Sequence, residues 1–164
     1  MFNEDIFTKV SNLLFYIYCD NIAYNYFFYL MARFENISTK QGFMKHNGGL
    51  MFREVSRNKY QFKTKVKKFH LNRAGITHGG FLSGIIDAGS GTAVHRATKG
   101  QVCVTIALDI KFIGSSGIGD LIIGDVEIQK VTNSLIFMRC RLSTNRKILA
   151  IGTGVWKKTN RSFV

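Results

Sequence analysis

Residues 79–98, "GGFLSGIIDAGSGTAVHRAT", form the one long helical candidate after residue 33, and their reading decides the fold. At 100° per residue, Phe81, Leu82, Ile85, Ile86, Ala93 and Ala97 fall on one side, with Ala88 and Thr92 at the margin. Gly80, Ser83, Gly84, Asp87 and Gly91 fall on the other. Asp87 therefore sits off the apolar stripe, on a face of glycine and serine. A glycine inside a helix costs about 1 kcal/mol relative to alanine. A helix accepts several of them where another backbone or a ligand must come close.

The segments on either side of this helix read as strands. "GLMFREVS" (residues 49–56) is a short candidate. "YQFKTKVKKF" (residues 60–69) alternates, with Tyr60, Phe62, Thr64 and Val66 facing one way and Gln61, Lys63, Lys65 and Lys67 the other. After the helix, "VCVTIALDIKFI" (residues 102–113) alternates again. Val102, Val104, Ile106, Leu108, Ile110 and Phe112 are expected on the core face, and Cys103, Thr105, Ala107, Asp109 and Lys111 on the other. "LIIGDVEIQKV", "SLIFMRCRLS" and "ILAIGTGVW" follow as antiparallel strands joined by short turns. The expectation is an α+β domain over residues 33–164, with one long helix wrapped by an antiparallel sheet of five or six strands.

The 164 residues suit one domain with its own core. Cys19, Cys103 and Cys140 are far apart and odd in number, with no CxxC or Cys/His cluster at zinc spacing. They read as reduced thiols of a cytoplasmic protein, and no metal is expected. The formal charge of +13 would suit a nucleic-acid binder, but the Lys and Arg are spread along the chain. The densest run, "KTKVKK" (residues 63–68), is one wet face of a strand. No nucleic-acid partner is expected, and the charge suits an anionic ligand such as a nucleotide phosphate.

Residues 1–32 differ from the remainder. They hold ten of the 21 aromatic residues and no glycine, with one Lys against Glu4, Asp5 and Asp20. Their net charge is −2, which leaves +15 for the rest. From Val10 to Ala32 only Asp20 is charged, a length that raises the question of a membrane span. Asn12, Asn21 and Asn25 oppose a stable span, and the acidic start opposes a signal peptide. An N-terminal helix packed on the domain, a weakly membrane-associating segment and a natural start at Met31 are the readings left.

The chemistry-bearing residues lie at the start of the helix. Asn72, His78, Gly79, Gly80 and Asp87 fall within sixteen positions. A helix N-terminus offers free N–H groups and a partial positive charge. Gly79 and Gly80 let a substrate oxygen approach without a Cβ in the way, which suits a developing oxyanion. Asn72 can add a neutral donor. Asp87 lies two turns along, too far to serve the same helix start, so it would act on a carbonyl held by a second chain. His70 could support the loop, and His46 and His95 read as surface or satisfied histidines.

The pattern H-x-N-x-x-G-x-x-HGG, an Asp nine positions after its second His, a strand with V-T-I and a GD opening the next strand resembles the phenylacetate-type (PaaI-like) hotdog-fold thioesterases. The likeness covers residues 42–158, and its start supports Met31 as the natural beginning. The resemblance implies hydrolysis of acyl-CoA thioesters to free acid and CoA. It implies that Asn72 and the Gly79 amide polarise the thioester carbonyl, with His78 shaping that turn. Asp87 of the partner subunit activates water or attacks, and Thr105 orients the water. Lys130, Thr132, Asn133 and Ser134 become contacts for the CoA phosphates, and Gly80 and Ala107 contacts for the acyl or pantetheine part. A homodimer paired into a tetramer is implied, with CoA entering only as substrate and no cofactor. Two rivals remain: a hotdog hydroxyacyl-thioester dehydratase, which usually carries a Pro-containing loop where this chain has no Pro, and a non-catalytic acyl-CoA- or nucleic-acid-binding hotdog protein.

Overall fold

A computed structural model describes residues 33–161. The expectations for residues 1–32 lie outside the described residues. The elements run β1 (Glu35–Asn36), α1 (Phe43–His46), β2 (Met51–Ser56), β3 (Lys59–Lys65), a 3-10 turn (Lys68–His70), α2 (Gly79–Ala97), β4 (Cys103–Phe112), β5 (Leu121–Val131), β6 (Leu135–Ser143) and β7 (Ile148–Lys158). The strands form one antiparallel sheet in the order β1-β2-β3-β5-β6-β7-β4. The sheet has seven strands where five or six were expected; the extra one, β1, is two residues long and leaves no periodicity to read.

Helix α2 lies on one face of the sheet and buries Phe81, Leu82, Ile85, Ile86, Ala93 and Val94 against Phe52, Phe62, Ile122, Met138, Leu142 and Trp156. The expected stripe is therefore the core face. Two glycines, one on α2 and one on the sheet, close on the same ring. A Cβ on Gly89 would lie 2.2 Å from Phe62 Cδ1, and a Cβ on Gly124 of β5 would lie 2.2 Å from Phe62 Cζ. The Phe62 ring is thus clamped between helix and sheet backbones, at a spacing that only glycine permits.

Strand β3 alternates as expected, with Tyr60, Phe62 and Thr64 buried and Val66 buried just beyond its end. Strand β4 does not. Its register against β7 shifts between Thr105 and Ala107, so Thr105 pairs with Trp156 and Ala107 with Val155. Directly opposed residues in an antiparallel pair point to the same face. Trp156 is buried, so Thr105 faces the helix, contrary to the expected alternation. Leu108 pairs with buried Gly154, so the helix-facing positions are odd before the bulge and even after it. Val104 and Ile106, expected in the core, are 40% and 54% exposed on the outer face. A bulge re-aims side chains in this way wherever one extra residue enters a strand.

Among the described cysteines, both are free: Cys103 is half-buried and Cys140 is buried, where desolvation pushes its thiol up to about 12. That keeps Cys140 protonated and unreactive. No helix among the described residues is long and apolar enough to cross a membrane.

Candidate active site

The loop before α2 is built to hold Asn72 and His78 in fixed positions. Leu71 and Thr77 bridge its two sides, and Asn72 N–H donates to Ile76 C=O at 2.8 Å. Thr77 N–H and Oγ1–H both donate to Ser116 C=O, and Ser116 Oγ–H donates to Thr77 Oγ1, which anchors the loop to the turn after β4. Asn72 Oδ1 accepts from Ala74 N–H at 2.9 Å and Ile76 N–H at 3.3 Å. These two bonds orient the amide and leave Nδ2 as a donor.

At the helix start the free N–H groups can be accounted for one by one. His78 is the N-cap. Its Nδ1 accepts from Gly80 N–H at 2.8 Å, which puts the proton of the neutral ring on Nε2. Phe81 and Leu82 N–H both donate to His78 C=O. Among the described residues this leaves the Gly79 N–H without an acceptor. The ring of Phe112 lies over that position, 3.4 Å from where a Gly79 Cβ would be, and so walls it on one side.

Asp87 and Thr105 form a second half-site. Thr105 Oγ1–H donates to Asp87 Oδ1 at 2.7 Å, and both residues are exposed. The bulge in β4 makes this bond available by turning Thr105 toward the helix. Gly79 and Asp87 are separated by eight residues of one helix, about 12 Å along its axis. One chain's Asp87 cannot reach a carbonyl held by its own Gly79 amide.

The thioesterase superfamily model matches residues 74–151, from within the loop after Asn72 through the helix, β4, β5 and β6 to the start of β7. This stretch of the chain is similar to the thioesterase superfamily. It is 26% identical over 110 residues to a Pseudomonas aeruginosa protein named as a candidate esterase, covering 66% of this chain and 82% of that one. It is 29% identical over 90 residues to mouse acyl-coenzyme A thioesterase 13, covering 54% of this chain and 64% of that one. The E. coli PaaI protein of the phenylacetic acid degradation operon superposes with a TM-score of 0.66 at 17% identity, covering 73% of this chain and 86% of that one. The expected hotdog fold is the fold observed.

The structure sets His78, Gly79 and Gly80 at the helix start, holds the Asn72 amide within the loop before it, and pairs Asp87 with Thr105. It does not bring Ala107 to either group. Ala107 pairs with Val155 and points to the outer face, because the bulge shifts it out of the helix-facing row. Thr132, Asn133 and Ser134 form the turn between β5 and β6, which Thr132 Oγ1 closes by accepting from Leu135 N–H at 2.8 Å. Lys130 is exposed near the end of β5. Lys158, from β7, donates Nζ–H to Thr132 C=O at 2.8 Å and so joins this turn. Sequence reading missed Lys158 and Phe112: the first is brought in by strand order alone, and the second lay on a face assigned wholly to the core. Among the described residues no cluster of three His, Cys, Asp or Glu could hold a metal ion.

His70 is 2% exposed and both ring nitrogens are bonded. Nδ1 accepts from Lys67 N–H, and Nε2–H donates to Asn47 C=O, each at 3.0 Å. Burial lowers its pKa from the ordinary 6.5; the Asn47 bond opposes that shift and the Lys67 charge adds to it. The unfolded chain therefore takes up this proton first as pH falls. His70's neutral form supports the fold fully above about pH 6.5, and that contribution is lost as pH drops from there toward the folded value. Urea midpoints measured between pH 7.5 and 5 should fall in this window, with a shallower slope in His70→Gln. Identical slopes would show that other groups carry the dependence.

Proposed function

We propose that the chain hydrolyses acyl-CoA thioesters to a free carboxylic acid and CoA, with each site built from two subunits. The observation that carries this reading is the unspent Gly79 N–H at the start of a glycine-opened helix, and the oriented Asn72 amide of the preceding loop is assigned as the second donor. Those two groups would donate to the thioester oxygen as it becomes an oxyanion; one such donor is worth about 10²–10³ in kcat. Asp87 of the partner subunit takes a proton from water, or attacks the carbonyl itself, while Thr105 holds the carboxylate or the water. The tetrahedral intermediate collapses, the C–S bond breaks, and the CoA thiolate leaves and takes a proton; where Asp87 itself has attacked, water then hydrolyses the acyl–Asp87 anhydride to free acid and restores the carboxylate. The likeness to an acyl-coenzyme A thioesterase supports the substrate class.

A dimer is supported by the geometry of one chain. The two half-sites are too far apart along α2 to act together. Thr105 also lies on β4, an edge strand with Val104 and Ile106 exposed, and such an edge is a template for pairing with a second copy. The CoA nucleotide is assigned to Lys130, Thr132, Asn133 and Ser134, with Lys158 added, and Gly80 lies beside the acyl carbonyl. No metal or redox cofactor enters the reaction.

The test is release of free thiol from a panel of acyl-CoA esters, with an enoyl-CoA included to follow loss of its double bond. Thiol release from some member is expected. Hydration of the enoyl-CoA without thiol release from any ester would transfer the protein to the dehydratase class.

A further inference from the structure

We infer that His70 is a positioning residue that ties the carbonyl-binding loop to the segment around α1, and through it to the wall of a cavity against Ala88 and Thr92 of α2. The inference rests on the proposed function for its meaning in catalysis, and on geometry for its existence. A buried histidine with every polar atom engaged is not used by the mechanism, yet it joins two parts of the chain 23 residues apart in sequence. On one side, its C=O accepts the N–H of His78, the cap of α2, at 2.8 Å. Its ring stacks on Phe81 with centroids 3.7 Å apart and meets Phe69 edge-on at 4.4 Å. On the other side, Nε2–H reaches the C=O of Asn47, the C-cap of α1.

Helix α1 has four residues and cannot hold itself in place. What it carries matters to the site. Phe43, 67% exposed, lies on the glycine face of α2, with Cε1 3.1 Å from where a Gly84 Cβ would be. Between this segment and α2 is a cavity of about 340 Å³ lined by Ile37, Ser38, Phe43 and Met44 on one side and Ala88 and Thr92 on the other. Ala88 and Thr92 lie on the side of α2 adjoining that of Asp87, so a shift of α1 changes the space along that side of the helix. His70 sets that spacing relative to the loop that holds the carbonyl.

The two ring nitrogens can be separated by substitution. His70→Gln keeps a donor at the Nε2 position for Asn47 and loses the acceptor for Lys67 N–H. His70→Asn keeps that acceptor and loses the reach to Asn47. Amide exchange over residues 43–49 is expected to quicken by about tenfold in His70→Asn and by much less in His70→Gln, on the scale of one buried hydrogen bond. The kcat for acyl-CoA should follow the same order, Gln retaining more than Asn. Equal behaviour of the two variants would overturn the tie and leave His70 as packing alone. If neither variant folds, nitrogen shifts of the wild-type imidazole decide: a slowly exchanging Nε2–H is expected, and an Nδ1–H tautomer overturns the inference. Exchange and shifts read the tie without turnover, so a wild type inactive on every acyl-CoA would sink the proposed function and not this tie.

Discussion

Asp87→Asn is expected to lower kcat for acyl-CoA hydrolysis by about a hundredfold or more, the usual range for a lost general base, with little change in stability. The substitution is close to isosteric. Asn Oδ1 can still accept from Thr105 Oγ1, and the side chain is exposed, so the fold loses no buried partner. What disappears is the basic or nucleophilic oxygen. Asp87→Ala should lose at least as much. Thr105→Val should lose less, about tenfold, because it removes only the group that orients the carboxylate or water. Wild-type turnover in Asp87→Asn would remove Asp87 from the mechanism. Subunit sharing has its own test. Asp87→Ala and Asn72→Ala are each expected to be nearly inactive, while a mixed and reassociated sample should regain about a quarter of wild-type activity. Random pairing makes half the dimers mixed, each with one intact site. No recovery in demonstrably mixed dimers would place both groups in one chain's site.

The second large effect is on stability, at Phe62. Its ring fills the space between Gly89 on α2 and Gly124 on β5. Phe62→Ala is expected to cost about 3–5 kcal/mol, because neither backbone can close the gap. Gly89→Ala is expected to destabilise the wild type by about 1–3 kcal/mol, since its methyl would enter the ring. In the Phe62→Ala background the sign should reverse. The methyl then enters empty space, and alanine is better than glycine inside a helix by about 1 kcal/mol. Urea unfolding of the four proteins in the cycle measures this coupling directly. A Gly89→Ala cost that is the same in both backgrounds would mean that the ring contact is not what keeps Gly89.

The helix was readable because its apolar positions recur at helical spacing, and Asp87 was readable as an exception to them. The strands at residues 60–66 and 121–158 were readable because alternation and short turns are local signals. Strand β4 was misread because a bulge leaves no trace in a pattern of Val, Ile and Leu: one extra residue moves every later side chain to the other face. That single event turned Thr105 toward Asp87, exposed Val104 and Ile106, and turned Ala107 away from the site. Phe112, Phe43 and Lys158 were missed for another reason. Each reaches its position across a long sequence separation, and nothing near it in the chain marks the partner.

The sequence by itself determined the helix, its core stripe, the off-stripe carboxylate and the loop order Asn72, His78, Gly79, Gly80, because these depend on residue type and short-range spacing. Only the tertiary structure decided which donor at the helix start is unspent, which face Thr105 takes, and that His70 ties the loop to α1. Those are matters of which atoms already have partners. Partners are assigned by the packing of distant segments, and hydrogen bonds formed there decide which groups are left to meet a substrate.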